Sequence, residues 1–213
     1  MLSRVTDKFK QTLLLLSFLM LTNLTVSAEE NRQACYHDCT NDYGNVLGKT
    51  KTGVTAYSNC NNECVIFEAA SFDGIYTGVK WQCVEFARRW LLMNYGVVYK
   101  DVDYAIDIWG KIDHYLKIAD KSQIPVRSYV NGSEQSPVPG DLLIYAKALL
   151  NTGHVAVVTN IDKQNNKLYI AEQNYSNKKW PGDYSRAVDY IIKDKRFWVL
   201  DEYLIGWKHA AFR

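Results

Sequence analysis

Cys83 and His154 are the residues of this sequence best placed to do chemistry on a carbonyl group. Cys83 stands in Trp81-Gln82-Cys83-Val84-Glu85-Phe86-Ala87-Arg88-Arg89, where an apolar stretch of helical period begins. A helix N-terminus presents unpaired N–H groups and a partial positive charge, the setting that favours a thiolate, which is the nucleophilic form of cysteine. A nucleophilic thiol also needs a base. Of the four histidines, His37 lies in a Cys-rich stretch, His114 falls on the polar side of an expected helix, and His209 is in the tail. His154 differs, because it follows Thr152-Gly153 and opens the apolar run Val155 to Val158. A third group should orient the imidazole. If residues 154–161 and 167–174 form a hairpin closing on 162–166, Ile161 faces Lys167, Ala156 faces Glu172 and His154 faces Asn174. Side chains alternate with period two, so His154, Glu172 and Asn174 then share a face, and a slip of one residue would move Glu172 to the other. Taken singly, each residue has a plainer reading: a small buried thiol, an exposed strand-end histidine, a sheet-surface acid.

The elements that must hold these groups are bounded first by composition. The chain has 213 residues, 47% hydrophobic and 23% charged, which fits one packed domain or a tight pair and excludes collagen-like, disordered and polytopic membrane classes. Residues 1–28 read as a secretory signal: Arg4, Lys8 and Lys10 precede the apolar run Leu13 to Leu21, and Val26-Ser27-Ala28 supplies small residues for cleavage. The apolar run is too short to span a bilayer, so no membrane span is expected after cleavage. Cleavage removes three basic residues and one acidic residue, leaving 22 of each. Bulk charge therefore selects no partner, and nothing points to nucleic acid. The expected localisation is secreted or periplasmic.

An oxidising compartment makes disulfides of paired cysteines. Cys35, Cys39, Cys60 and Cys64 form two Cys-x3-Cys pairs, and two helices so spaced could be stapled Cys35 to Cys64 and Cys39 to Cys60. Gly44, Gly48 and Gly53 argue against such a helical hairpin, and four cysteines allow three connectivities among which the sequence does not choose. A zinc site on Cys35, His37 and Cys39 lacks the usual spacing, so no metal or cofactor is expected. Cys83 is left over as a free thiol.

Residues 29–75 show little periodicity and read as a loop-rich lead-in. A helix is expected over 82–94, ended by Gly96, and a second from about Tyr104 to Ala119 with Ala105, Ile108, Trp109, Ile112 and Leu116 buried. After the turn Pro139-Gly140-Asp141 the period changes, and strands are expected at 142–146, 154–161, 167–173, 197–200 and 204–207. Helices first and a meandering sheet afterwards is the α+β pattern, an antiparallel sheet with helices on one side.

The quoted segments around Cys83 and His154, with Ile170-Ala171-Glu172-Gln173-Asn174, resemble the CHAP family of cysteine- and histidine-dependent amidohydrolases and peptidases. Within it the chain is most similar to the amidase domains of glutathionylspermidine synthetase/amidases. The likeness extends through Asn94-Tyr95-Gly96-Val97-Val98, Asn131-Gly132-Ser133, Pro139-Gly140-Asp141-Leu142-Leu143-Ile144 and Gly206-Trp207, from about Gly53 to Trp207. The resemblance implies a papain-like fold over 53–213 behind a Cys-rich lead-in at 29–52. It implies Cys83 as nucleophile, His154 as general base and then acid, and Glu172 as the group that orients it. Position alone suggests Gln82 and the Cys83 N–H as oxyanion donors. Arg88, about one and a half turns past Cys83, points off the thiol's column and is a substrate-binding candidate, and Asn174 matches the family's local motif.

The resembled amidases are cytosolic and fused to an ATP-dependent synthetase, whereas here an export signal precedes the domain and no synthetase-like segment follows within the 213 residues. These departures bear on the substrate: a peptide-amine conjugate such as glutathionylspermidine, or alternatively a peptidoglycan peptide. A reading from another class is a secreted, inactive binding module whose groove draws on the six Trp and 15 Tyr. A monomer is expected. Sequons stand at Asn131 and Asn174.

Overall fold

The structure, a computed structural model, describes residues 35–212. The expected export segment, 1–28, and the first residues of the lead-in lie outside the described residues. The chain runs β1 (Val46–Lys49), β2 (Thr55–Tyr57), β3 (Ala69–Phe72), β4 (Ile75–Val79), α1 (Cys83–Tyr95), β5 (Val97–Val98), α2 (Asp107–Lys111) and β6 (His114–Lys117). It continues through β7 (Gln123–Val130), β8 (Leu142–Tyr145), β9 (His154–Asp162), β10 (Lys167–Ala171), β11 (Arg186–Lys193), β12 (Arg196–Val199) and β13 (Leu204–Ala210). Strands β12-β11-β10-β9-β8-β13-β7-β6-β5 form one antiparallel sheet, while β1-β2 and β3-β4 are separate hairpins.

Continuous apolar runs explain how the sheet is covered on both faces. In β8 all four residues are buried, and alternation sends Leu142 and Ile144 toward α1, Leu143 and Tyr145 the other way. β9 does the same, with Val155 and Val157 facing the helix and Ala156 and Val158 the second core. Phe86, Ala87, Trp90 and Leu91 of α1 fill the first core, each large side chain worth about 1.5–3 kcal/mol of burial. Trp207, Phe197 and Tyr190 fill the second. The sheet curls around this second core, because Gly132, just after β7, donates its N–H to Phe197 O of β12 at 2.9 Å.

The expected helix over 82–94 is present as α1, with extended Gln82 as its N-cap and left-handed Gly96 as its C-cap. The expected helix from Tyr104 to Ala119 is not. Only the single turn of α2 forms, and Ile112 turns extended so that β6 can pair with β7. Ala105, Ile108 and Ile112 of the expected stripe are buried here too, while Leu116 is half-buried and its neighbour Tyr115 is buried instead, so the apolar stripe alone did not decide between helix and strand, and the ladder to β7 did. The described residues hold two helices and mostly strands, in place of a helical N-terminal half. β11 was also passed over, although its buried Val188 and Tyr190 alternate with exposed residues.

The lead-in is closed by disulfides Cys35–Cys64 and Cys39–Cys60. This nested connectivity is the one the helical hairpin would have given, but an antiparallel β-pair produces it. Gly44 N–H bonds Ser58 O, and Val46 pairs with Tyr57 farther along. The boundary expected at 52/53 falls in the turn of β1-β2, and Leu47 and Val54 on either side both enter the first core. The Cys39–Cys60 loop spans 21 residues, so opening it by paired serine substitution should cost about 2–4 kcal/mol. A lower denaturant midpoint checks this; an unchanged midpoint would mean that the segment is held by packing alone.

Candidate active site

Cys83 is the first residue of α1 and is the free cysteine among the described residues, 9% exposed at the floor of a cleft of about 550 Å³. His154 is the first residue of β9. The tight turn before it needs glycine: Gly153 has φ +73, and a Cβ there would sit 2.7 Å from Tyr145 O and 3.0 Å from Ile106. Thr152-Gly153-His154 is thus a backbone requirement as much as a chemical one. The imidazole is fully buried between Tyr145 and Tyr175, whose ring centres lie 5.6 and 5.2 Å away.

The register that joins His154 to Glu172 differs in detail from expectation. The turn pairs Lys167 with Asp162 and Leu168 with Ile161, one residue off the expected partners. A bulge at Thr159 then absorbs the extra residue, so Ile170 faces Val158 and Ala171 faces Val157, as expected. Glu172, one residue past β10, lies on the His154 side of the sheet, and its Oε2 is 2.8 Å from His154 Nε2. Asn174 does not continue the strand. The chain turns away after Ala171, Asn174 takes a left-handed conformation (φ 54), and its Nδ2 donates to Gln82 Oε1 at 2.8 Å instead of facing His154.

Electrostatics follow from this geometry. Burial alone would lower the His154 pKa, but the charge and hydrogen bonding of Cys83 and then Glu172 outweigh it and hold it at about 9. Nδ1 of His154 has no aligned hydrogen-bond partner even though Cys83 acts on the ring. A close but loosely aligned pair reconciles the two, and nucleophile–base contacts commonly tighten only with substrate in place. For Glu172, burial would raise the pKa, yet the hydrogen bond and charge of His154, with the Arg186 guanidinium, bring it to about 2.

Arg186, which sequence reasoning missed, donates from Nε to Glu172 Oε1 at 2.6 Å and from Nη1 to Asp201 Oδ1 at 3.2 Å, and packs over the Tyr175 ring at 4.2 Å. Its Nη2 also donates to Glu172 Oε2 at 3.3 Å, the oxygen that meets His154, so the guanidinium grips both carboxylate oxygens. Gln173 was missed as well. Its Oε1 accepts from Tyr57 N–H at 2.8 Å, which turns its Nε2 toward Gln82 O at 3.3 Å and Glu85 Oε2 at 3.2 Å, tying the start of α1 to the lead-in hairpin. The signal available for Gln173 was its place beside Glu172; for Arg186 it was the alternating run of β11.

Gln82 lines the cleft beside Cys83. Arg88 does not: it is 5% exposed and pairs with Asp101 at 3.0 Å, stacking over Tyr76, so only its partners reach the cleft wall. The remaining described histidines lie apart from the site: His37 in the disulfide-closed segment, where its backbone oxygen accepts from Asn61 Nδ2 at 3.1 Å, His114 against Asp113 and His209 against Asp141. Among the described residues both sequon asparagines are engaged. Asn174 is buried, and Asn131 exchanges hydrogen bonds with the Val199 backbone.

Residues 74–174 match the family model for the CHAP domain. Trypanothione synthetase of Crithidia fasciculata is 36% identical over 161 residues, covering 75% of this chain and 24% of that protein. Bifunctional glutathionylspermidine synthetase/amidase of Escherichia coli (strain K12) is 33% identical over 181 residues, covering 78% of this chain and 29% of that protein. Glutathionylspermidine synthase of Crithidia fasciculata is 32% identical over 136 residues, covering 61% and 19%. The chain thus spans less than a third of the length of these relatives. Cys83, His154 and Glu172 all fall inside the matched span, and residues 74–174 of this chain are a CHAP domain.

Proposed function

We propose that the chain is an exported cysteine amidohydrolase. The Cys83 sulfur attacks the amide carbon, and the C–N bond breaks as protonated His154 gives its proton to the leaving amine. A thioester on Cys83 remains. His154, now neutral, takes a proton from water, the hydroxide displaces sulfur, and the free acid leaves. Glu172, held by Arg186, keeps Nδ1 of His154 turned to the thiol and stabilises the imidazolium. Gln82 and the Cys83 N–H receive the oxyanion. The observation that carries this reading is the buried His154–Glu172 pair placed where Cys83 acts on the imidazole. The papain-like form of the α+β fold belongs with it, a helix-borne cysteine facing a strand-borne histidine. The two disulfides support an oxidising compartment.

Glutathionylspermidine, or a similar peptide-amine conjugate, is the proposed substrate. The name of the Escherichia coli relative supports it. The cleft supports it too: Asp103, Tyr104 and Phe67 line it beside Asp101, whose charge Arg88 already meets, and no basic side chain is among the described residues that line it, which suits a cationic leaving amine. Incubating the wild-type protein and its Cys83→Ala variant with glutathionylspermidine and, separately, with muropeptides tests both halves. Mass spectrometry should show loss of the glutathionyl–spermidine amide with the intact thiol only. Cleavage confined to muropeptides would reassign the substrate, and cleavage of neither by the reduced wild type would remove the hydrolase reading.

A further inference from the structure

We infer that Asn177 is a positioning residue that fixes which way round the Gln82 carboxamide lies, so that an N–H and not a carbonyl meets the developing oxyanion. The inference rests on the reading above that Gln82 is an oxyanion donor. A carboxamide is nearly symmetric in shape, and only its partners decide which end carries the hydrogens. Here the decision starts at a group with one possible polarity, the backbone N–H of Asn59, which donates to Asn177 Oδ1 at 2.8 Å.

That bond turns Asn177 Nδ2 the other way, toward two acceptors, Asn174 Oδ1 at 3.4 Å and Asn62 Oδ1 at 3.3 Å. Asn174 then offers its own Nδ2 to Gln82 Oε1 at 2.8 Å. With its oxygen occupied, Gln82 keeps Nε2 as a donor, held by two long bonds of 3.4 Å to Asn59 Oδ1 and Cys64 O. Bonds that long yield readily to a charged acceptor, which an oxyanion is.

The line is insulated and anchored. Asn59 is 0% exposed, Asn177 3% and Asn174 7%, so water does not offer the amides an alternative polarity. Asn177 is held in place from outside by Asn41, whose Nδ2 donates to its backbone oxygen at 2.7 Å. Asn174 and Asn177 both adopt φ > 0, at 54 and 51, which asparagine tolerates better than other side-chain-bearing residues. Asn59 itself precedes Cys60, fixed by the Cys39–Cys60 disulfide. The disulfide-closed segment thereby supplies the first link of a line that ends beside the nucleophile.

Asn177→Asp tests this in the full chain with glutathionylspermidine as probe. The substituted side chain can still accept from Asn59 N–H but has no hydrogen to give Asn174, so the downstream amides lose their fixed polarity. The expected result is a fall in kcat of about 10²-fold, the scale of one lost oxyanion donor, with KM within about twofold. Alkylation of Cys83 by iodoacetamide, which needs no oxyanion donor, should keep its wild-type rate. In a Gln82→Ala background the same substitution should cause no further loss, because the group it orients is gone. Wild-type kcat, a full multiplicative loss in the Gln82→Ala background, or a parallel loss of alkylation would each overturn the inference. If Asn177→Asp does not fold, Asn174→Asp breaks the same polarity one link nearer Gln82 and is read by the same criteria. A wild-type kcat for Gln82→Ala, or a wild-type protein that cleaves nothing, would instead fell the underlying oxyanion or hydrolase reading, and the inference with it.

Discussion

Replacing Glu172 by glutamine is expected to lower kcat for amide cleavage by about 10²–10⁴-fold with little change in KM. Glutamine fills the same space but carries no charge to stabilise the imidazolium, and its NH₂ competes with His154 Nε2–H for the same position. Arg186 then sits against an amide. The pH profile gives the sign. In the wild type His154 holds its proton up to about pH 9, so kcat/KM should fall on the alkaline side as pH passes that value and the leaving amine loses its acid. Without the carboxylate the imidazole holds its proton less tightly, and the alkaline limb should move to lower pH. A limb that stays in place, or a variant within threefold of the wild-type kcat, would remove Glu172 from the mechanism. The same two groups set stability in opposite directions. Glu172 contributes stability that is present above its unfolded pKa and lost as pH falls toward about 2. His154 contributes stability that is present below its unfolded pKa and lost as pH rises through about 9.

Arg89→Met is expected to destabilise the fold by about 3–5 kcal/mol. Glu85, one turn before Arg89 on α1, is 0% exposed, and Arg89 grips both its oxygens at 2.7 and 3.1 Å. Thr77 and Gln173 complete the carboxylate's shell at 2.9 and 3.2 Å, and Arg89 also reaches Thr55 O at 2.7 Å. Removing the guanidinium leaves a carboxylate inside the protein with two neutral donors. Because α1 carries Cys83 at its start, the loss should show in activity at elevated temperature as well as in the unfolding midpoint. Adding Glu85→Gln to Arg89→Met removes the orphaned charge and should recover part of the stability. If the single variant unfolds like the wild type, the pair is not what ties α1 to β4 and the lead-in hairpin.

What the residues disclosed on their own follows from the range of the interactions involved. Helix α1 was readable because its apolar period and its Gly96 stop are local to 82–96, although Gln82, expected inside the helix, is its extended N-cap. The approach of Glu172 to His154 was readable because a hairpin with a short turn ties the two, and the placement of Cys83 was readable because it depends only on where a helix starts. The turn's register was one residue off, and only the bulge at Thr159, invisible in the hydrophobic pattern, returned Glu172 to the expected face. The stretch 104–119 was misread because its apolar stripe serves a helix and a turn-plus-strand equally, and the partner that settles it, β7, acts from outside the segment. Arg186, Gln173, Asn59 and Asn177 reach the site from separate loops and strands, and their polar side chains look like surface residues until the fold buries them. In Glu85 and Arg89 the spacing of one helical turn was visible, but not that both would be buried.

The most direct measurement of the central claim, that Cys83 is the nucleophile, is a titration of amide-cleaving activity against alkylation of that thiol. Iodoacetamide should modify Cys83 in the folded protein near neutral pH, and the remaining activity on glutathionylspermidine should fall in proportion, reaching zero at one adduct per chain. Activity that persists when Cys83 is fully alkylated would contradict the account.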